Sequence, residues 1–296
     1  MPLVPFLPRS VNAPAAETET EILGRRRLVR RESQQNSVNE PNGEWPVVAC
    51  AGFHFYCSNE AEFERICQDV FAGHEYAFDM RARHPYIIDA GAHVGVATHY
   101  FKHRHPHAQV LAIEANPATF SLLRRNISHN GLDDVHLRHA ALAPEAGEIT
   151  FYTGTDGEQS SSWGDSAIRQ PWHGEEATSA VRVPAITLSS LLTERVDVLK
   201  LDIEGLETAV LAEAAPQLAR VRRIVLEFHG TRANPENDIK RLVGILDRAG
   251  FTVDVYQFGS VVPLGETILN RQFDPAELVE DLGGDRYGVV SVINAQ

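Results

Sequence analysis

The chain has 296 residues, and its 27 lysines and arginines against 40 aspartates and glutamates leave a formal net charge of −13. Hydrophobic residues account for 43% and charged residues for 23%, a composition typical of globular proteins with a substantial core. The acidic excess argues against a general nucleic-acid binder, because the phosphate backbone attracts basic surfaces.

The apolar runs, the first residues and the cysteines bear on the cellular compartment of the protein. No run approaches the roughly 20 apolar residues of a membrane span, and the first ten residues lack the pattern of a signal peptide. The three cysteines, Cys50, Cys57 and Cys67, are too few for a disulfide framework. We therefore expect a cytoplasmic protein whose cysteines are buried, reduced thiols.

The composition changes near residue 44. Residues 1–44 are polar apart from scattered apolar positions and contain an arginine run, so we expect a partly disordered or loosely docked arm. Residues 45–296 are predicted to form one domain. Within it, the polar stretch 154–178 is predicted to be a lid or substrate loop, with Trp163 and Trp172 as candidates either for a pocket wall or for pinning the loop to the body of the domain.

Apolar periodicity predicts the elements of this domain in chain order. They are a strand or hairpin (47–56), a helix (60–71), a strand (86–89), a helix ending near 103, a strand (109–113), a helix (117–129), strands (135–142 and 147–153), a strand (196–201), a helix (206–218), a strand (223–228), a helix (235–249) and strands (251–258 and 287–294). This alternation predicts an α/β fold with a doubly wound, mostly parallel sheet. No clear crossover helix joins the last two strands, so we expect them to pair antiparallel at one edge.

The strongest motif, Asp89-Ala-Gly91-Ala-His93-Val-Gly95, follows the first parallel strand. Ligands of open α/β sheets bind beyond the carboxyl ends of such strands. Gly91 allows close backbone approach, and Gly95 allows the next helix to pack near the strand. A dinucleotide requires a differently spaced glycine-rich turn for its pyrophosphate. Asp89 instead suits the cationic methionine end of S-adenosylmethionine, directly or through water.

The next strand ends in a second acidic residue, Glu114. A carboxylate about 20 residues beyond the glycine turn can accept hydrogen bonds from both ribose hydroxyls. A solvated acid at a strand end would look the same in isolation. Together with Asp89, in register with the predicted β-α-β unit, Glu114 predicts a nucleoside-binding edge.

A third motif, Lys200-Leu-Asp202-Ile-Glu204-Gly-Leu-Glu207, ends a later strand. Acids at this edge suggest proton abstraction, a divalent cation or substrate binding, although Glu207 also suits a helix N-terminus. His229 ends the following strand in Glu227-Phe-His229 and has a titration range suited to general-base work.

A group of histidines lies at the end of the helix near residue 103. His99 and His103 have the i, i+4 spacing of metal ligands. We expect a surface cluster at a helix terminus instead, because imidazolium suits the C-terminal dipole.

The region from about Cys67 to Gly230 resembles the FkbM family of S-adenosylmethionine-dependent methyltransferases. The matching pieces are Asp69-Val-Phe with Glu75-Tyr76, Ile88 to Gly95, Ile113 to Pro117, Leu123 to Ile127 with Asn130, Ala140 to Leu142, Ile186 to Leu188 and Leu199 to Glu207. The K-x-D-x-E-G-x-E block is the most specific of them. Two departures from the family pattern are Ala115, where proline is common, and His93, where asparagine is usual.

The resemblance implies a Rossmann-like class I methyltransferase with a seven-stranded sheet and an antiparallel edge. It also implies methyl transfer, most often to a hydroxyl of a sugar, polyketide or other small metabolite. The cofactor-binding candidates are Asp89, Gly91, His93, Gly95, Glu114, Ala115, Asn116, Ala141 and Asp202. The catalytic candidates are Asp202 or His229 as the base, with Glu204 orienting the acceptor.

Several alternatives stay open. The enzyme could methylate nitrogen or a carboxylate on a small molecule or peptide, or the chain could be a non-catalytic nucleoside- or partner-binding module. A magnesium-type ion on Asp202 and Glu204 is a further alternative that we do not favour. We expect a small-molecule partner and neither nucleic acid nor membrane, and we leave a homodimer open.

Overall fold

The computed structural model describes residues 45–73, 76–78, 80, 82–154, 165–168, 178–229, 234–258, 271–273 and 289–295. The predictions for residues 1–44, Trp163 and Trp172 lie outside these residues. In the described part of the chain, no helix has both the length and the apolar character needed to cross a membrane.

The described residues contain thirteen strands and five α-helices. The strands are β1 (Val47–Cys50), β2 (Phe53–Tyr56), β3 (Tyr86–Ala90), β4 (Gln109–Glu114), β5 (Val135–His139), β6 (Ala141–Leu142), β7 (Gly147–Gly154), β8 (Thr178–Ile186), β9 (Val198–Leu201), β10 (Ile224–Glu227), β11 (Thr252–Phe258), β12 (Arg271–Phe273) and β13 (Val289–Ala295). The helices are α1 (Glu60–Cys67), α2 (Val96–Arg104), α3 (Pro117–His129), α4 (Glu207–Glu213) and α5 (Ile239–Arg248). A π-helical turn, Gln68–Ala72, continues α1, and a 3-10 turn, Ala215–Arg220, follows α4.

The central sheet confirms the predicted doubly wound α/β class. Its strand order is β12-β11-β13-β10-β9-β3-β4-β5, and the five strands from β10 to β5 run parallel. The chain moves outward from β3 to β5 on one side and returns beside β3 with β9. The carboxyl ends of β3, β4 and β9 therefore meet at the point where the winding direction reverses, which is where open sheets bind ligands.

The antiparallel part of the sheet differs in detail from the expectation. β11 and β13 pair antiparallel as predicted, but β13 lies between β11 and β10 and pairs antiparallel with both. The short β12 then pairs with β11. Among the described residues the sheet thus has eight strands, with the antiparallel strand β13 inside it.

A second sheet contains a strand that the sequence patterns did not predict. β8 lies between β6 and β7, pairing parallel with the first and antiparallel with the second. Pro184 falls within β8, opposite Glu148, and an internal proline argues against a strand. The helix predicted for 206–218 likewise divides into α4 and the 3-10 turn.

The cysteine prediction is wrong for two of the three residues. Cys50 and Cys67 form a disulfide with a Cα–Cα distance of 6.5 Å, because the β1–β2 hairpin and α1 pack together. Cys57 is free and buried, and its burial raises the pKa of the thiol to about 12. Cysteine number alone could not reveal which two side chains the packing brings together.

The expected surface position of His99 is also wrong. His99 is fully buried, with Nδ1 2.6 Å from the carbonyl oxygen of Gly95 and Nε2 3.0 Å from the side-chain nitrogen of Asn130. Burial lowers its pKa to about 4. The aromatic rings of Phe53 and Phe55, in the hairpin, pack against it, so this helix face is interior.

Candidate active site

The turn after β3 lies directly against the end of β9. Gly91 has a φ of +77°, and a Cβ at this position would fall 1.7 Å from the carbonyl oxygen of Asp202. Its N–H donates to the carbonyl oxygen of Ile113 at 3.0 Å. Gly95, with a φ of 96°, is the N-cap residue of α2, so both glycines of the motif serve backbone conformation.

Asp89 lies beneath this turn and is fully buried. Its Oδ2 accepts a hydrogen bond from the Thr98 hydroxyl at 2.6 Å, and its Oδ1 is 3.4 Å from Lys200 Nζ. Lys200 Nζ also lies 3.2 Å from Asp202 and donates to the Gly91 carbonyl at 2.8 Å. Asp89 and Lys200 therefore fix the turn from within the protein.

Lys200 keeps its charge in this buried position. Burial lowers its pKa, but the carboxylates of Asp202 and Asp89 raise it more, so the net shift is upward. The ammonium thus offsets two of the acids that converge on this edge of the sheet.

Glu114 lies beside the turn, at the end of β4. Its Oε2 accepts from the backbone N–H of His93 at 2.9 Å and its Oε1 from that of Asn116 at 2.8 Å. Burial raises the pKa of Glu114, whereas the neighbouring His93 lowers it. The carboxylate is oriented, and each oxygen retains acceptor capacity for a ligand hydroxyl.

Two acids that the sequence analysis did not select lie near Glu114. The Nε2 of His93 is 3.4 Å from Glu62, which is on α1. Asp165 accepts from Asn116 Nδ2 at 2.6 Å and from the N–H of Gly154 at 2.9 Å. We name Glu62, His93, Glu114, Asn116 and Asp165 the Glu114 cluster.

The pKa values in this cluster are shifted by burial and by mutual charge. Burial lowers the pKa of His93, but hydrogen bonding and charge from Glu62 raise it more, with Glu114 and Asp165 adding to the rise. Burial raises the pKa of Asp165 to about 6, although the Asn116 and Gly154 hydrogen bonds lower it.

The remaining cofactor candidates line the same side of the sheet. Asn116 caps α3 by accepting from the N–H groups of Ala118 and Thr119. Ala115 is half-buried, and its carbonyl oxygen lies 3.0 Å from His139 Nε2. Ala141 is buried in β6.

The catalytic candidates come together on the other side of the turn. His229 Nε2 is 3.5 Å from Glu204 and 3.9 Å from Asp202, while Nδ1 is 3.0 Å from Glu207. Glu207 also accepts from the N–H of Gly205 and from Asn237 Nδ2. We name Asp202, Glu204, Glu207, Glu227 and His229 the acid–histidine cluster.

The cluster is largely enclosed, with exposed side-chain fractions of 23% for Asp202, 17% for Glu204 and 8% for His229. Burial, together with the charges of Asp202 and Glu207, raises the pKa of Glu204 to about 8, although His229 lowers it. Burial lowers the pKa of His229, but the surrounding carboxylates raise it well above its usual value. Glu204 also has a φ of +55°, a backbone strain often found at functional sites.

Glu227 joins this cluster from the end of β10. Its Oε1 accepts from the Tyr76 hydroxyl at 2.6 Å. Burial and the charge of Asp202 raise the pKa of Glu227. The Glu-Phe-His motif contained this residue, but only the structure shows that both ends of the motif reach the same cluster.

Residues 165–168 connect the two clusters. Asp165 belongs to the Glu114 cluster, and the adjacent Ser166 hydroxyl donates to the carbonyl oxygen of Glu204 at 2.5 Å. A short bridge with Tyr152 holds Ser166 against β7. This part of the predicted loop therefore lies along the carboxyl edge of the sheet.

These residues fit a cationic nucleoside. Gly91 leaves the inside of the turn without a side chain, and Glu114 offers an oriented carboxylate at the end of the next strand, the position at which such sheets bind a ribose. The acids around the turn suit the ammonium and sulfonium of S-adenosylmethionine and would repel a diphosphate.

Comparisons with known proteins agree with this fit. Residues 89–253 match the model of the methyltransferase FkbM domain, which is more than half of the chain. Methyltransferase sdnD of Sordaria araneosa is 27% identical over 228 residues, spanning 67% of this chain and 86% of that protein. Methyltransferase 1 of Beauveria bassiana is 30% identical over 211 residues, spanning 66% and 83%.

A third relative is the 2-O-methyltransferase NoeI of Sinorhizobium fredii, 26% identical over 155 residues that span 49% of this chain and 63% of that protein. The family model covers the glycine turn, Glu114, the acid block and His229. This chain therefore belongs to the FkbM family and is an S-adenosylmethionine-dependent methyltransferase.

Proposed function

We propose that this enzyme methylates a hydroxyl group of a small metabolite, with Asp202 or His229 accepting the hydroxyl proton and Glu204 orienting the acceptor. The observation that carries the proposal is the position of His229 between Glu207 and the pair Asp202 and Glu204. An alcohol must lose its proton as it attacks carbon, and a carboxylate or imidazole at this edge can receive it.

The cofactor supplies a methyl group on a positively charged sulfur. We propose that Asp89, Gly91, His93, Gly95, Glu114, Ala115, Asn116, Ala141 and Asp202 form its site. Glu114 accepts from the ribose hydroxyls, while Asp89 acts by fixing the turn, since its own side chain is fully buried. Alignment of the acceptor with the methyl group can lower the activation free energy by roughly 7–11 kcal/mol.

Oxygen is the proposed acceptor atom on two grounds. A relative carries the name 2-O-methyltransferase, and the acid–histidine cluster provides the proton acceptor that oxygen requires. We also propose that the stretch 154–178 covers the acceptor, a role supported by the contact of Ser166 with Glu204.

The test is an acceptor screen with methyl-labelled S-adenosylmethionine. Each candidate hydroxyl compound is paired with its O-methylated form, and products are located by mass spectrometry and NMR. With an active acceptor, Asp202→Asn should lower turnover by about 10²–10⁴-fold, a loss far greater than any fall in S-adenosylhomocysteine affinity measured by calorimetry, because asparagine keeps a side-chain oxygen at this position of the cofactor site. Glu148→Gln, an exposed substitution on β7, is the control. Methylation at nitrogen or a carboxylate, or full turnover by Asp202→Asn, contradicts the proposal.

A further inference from the structure

Three side chains of the acid–histidine cluster present a mixed set of ligand atoms. A carboxylate oxygen of Asp202, one of Glu227 and a ring nitrogen of His229 all lie within 4.8 Å of one another. They come from the ends of adjacent parallel strands, β9 and β10, so the sheet itself holds them in register.

The orientation of His229 is fixed in the way that metal-binding histidines require. Glu207 lies 3.0 Å from Nδ1, which leaves Nε2 on the side of Glu204, at 3.5 Å, and Asp202, at 3.9 Å. A carboxylate on the far nitrogen of a ligating histidine selects its tautomer and strengthens its basicity. Glu227 is oriented in turn by the Tyr76 hydroxyl.

The charge of the cluster also favours a cation. Asp202, Glu204, Glu207 and Glu227 bring four carboxylates together, and within the described part of the cluster the cationic groups are Lys200 and His229. Lys200 is shared with the buried Asp89. Burying carboxylates without compensating charge is costly. A divalent ion between Asp202, Glu227 and His229 would offset this cost.

We infer that Asp202, Glu227 and His229 bind a divalent transition-metal ion of the manganese or zinc class. The imidazole nitrogen distinguishes this set from the all-oxygen environment that magnesium prefers. It also differs from the ion on Asp202 and Glu204 considered from the sequence.

The role of the ion rests on the proposed function. An acceptor hydroxyl held by the ion would lose its proton more easily, and that proton would pass to Glu204, the carboxylate that lies 3.5 Å from Nε2 of the ligand His229. The resulting alkoxide oxygen forms the bond to the methyl carbon as the carbon–sulfur bond breaks. Asp202 and His229 then act as ligands, so Glu204 replaces them as the proton acceptor of the proposed function.

The test measures Mn²⁺ binding to the full chain without any acceptor. Titration followed by electron paramagnetic resonance and calorimetry should show one saturable Mn²⁺ per chain, displaced by Zn²⁺. Glu227→Gln retains an oxygen that can accept from Tyr76 and should weaken binding at least tenfold. His229→Gln should do the same. Glu204→Gln removes a carboxylate from the same cluster but no proposed ligand, so its effect should stay within about threefold.

Thermal unfolding and S-adenosylhomocysteine binding, both without metal, verify that each variant is folded. Equal weakening by Glu204→Gln and Glu227→Gln would show a diffuse acidic cluster and overturn the inference, as would the absence of saturable binding. Methyl transfer to a hydroxyl by metal-free protein would overturn it while leaving the proposed function intact. Metal binding combined with methylation only at nitrogen would support the metal site and contradict the proposed function.

Discussion

The backbone of Gly91 meets the carbonyl oxygen of Asp202 so closely that a Cβ at position 91 would lie 1.7 Å from that oxygen. The glycine turn and the acid block, which are more than a hundred residues apart in the chain, are thus directly packed. A side chain at position 91 would therefore require the backbone at Asp202 to shift.

Gly91→Ala should therefore disrupt the site. The methyl group meets backbone rather than a flexible side chain, and the φ of +77° is unfavourable for alanine. We expect a clear fall in the unfolding temperature and at least a tenfold loss of S-adenosylhomocysteine affinity by calorimetry. Gly131→Ala is the matched control, because Gly131 has a φ of +60° but open space around it. Equal effects of the two substitutions would contradict the packing argument.

Lys200→Met tests the buried charge network. It leaves the fully buried Asp89 without its neighbouring ammonium, and breaking a buried pair from one side costs roughly 3–5 kcal/mol. Denaturant unfolding should show a loss of this order, and Asp89→Asn in the same chain should recover part of it. Lys240→Met, on the exposed surface of α5, should change stability little. A Lys200→Met protein as stable as the wild type would refute the prediction.

The raised pKa of Asp165 predicts that the stability of the fold depends on pH. Its pKa is raised from 3.8 to about 6 by burial, despite the hydrogen bonds from Asn116 and Gly154 and the nearby His93, with Glu62 adding to the rise. The folded protein therefore binds this proton more tightly than the unfolded chain. The resulting stabilisation is complete below about pH 4 and is lost as pH rises through 6.

Asp165→Asn removes this titration. The free energy of unfolding of the variant, relative to wild type, should rise by about 2 kcal/mol between pH 4 and pH 7. Urea unfolding at several pH values measures it, with Glu148→Gln, a substitution of an exposed acid on β7, as the control. A difference between Asp165→Asn and wild type that is constant over this range would be inconsistent with the buried carboxyl.

The disulfide gives a fourth prediction. Cys50 and Cys67 are 17 residues apart in sequence, and closing a loop of this length stabilises a fold by about 3 kcal/mol. Cys50→Ala should lose about that amount under oxidising conditions. Reductant should lower the stability of the wild type to a similar level and leave the variant unchanged. Wild-type stability that is independent of reductant would count against the bond.

Much of the site was predictable because its signals are local. Apolar strands followed by Asp89, Glu114 and Asp202 place these acids at one edge of a parallel sheet, and the alternation of strands and helices sets the winding. The N-terminal proline and asparagine of α3 likewise mark its start in sequence.

The parts that were missed depend on contacts between distant residues. Glu62 resembles an ordinary first-turn acid of a helix, and only packing of α1 brings it to His93. Asp165 lies in a polar stretch with no regular pattern, yet it binds Asn116, 49 residues away. Glu227 could be placed near the edge, but its partner Tyr76 is 151 residues away. The Cys50–Cys67 disulfide was likewise missed because it depends on packing between the β1–β2 hairpin and α1.

The position of β13 has a consequence for biosynthesis. A ribosome delivers β10 and β11 before residues 289–295, yet those residues separate the two strands in the finished sheet. Until they emerge, the nascent chain carries β10 as an open edge able to recruit foreign strands. The parallel strands from β9 to β5 can assemble early, so the aggregation hazard during synthesis falls on β10, the strand that ends in Glu227 and leads into His229.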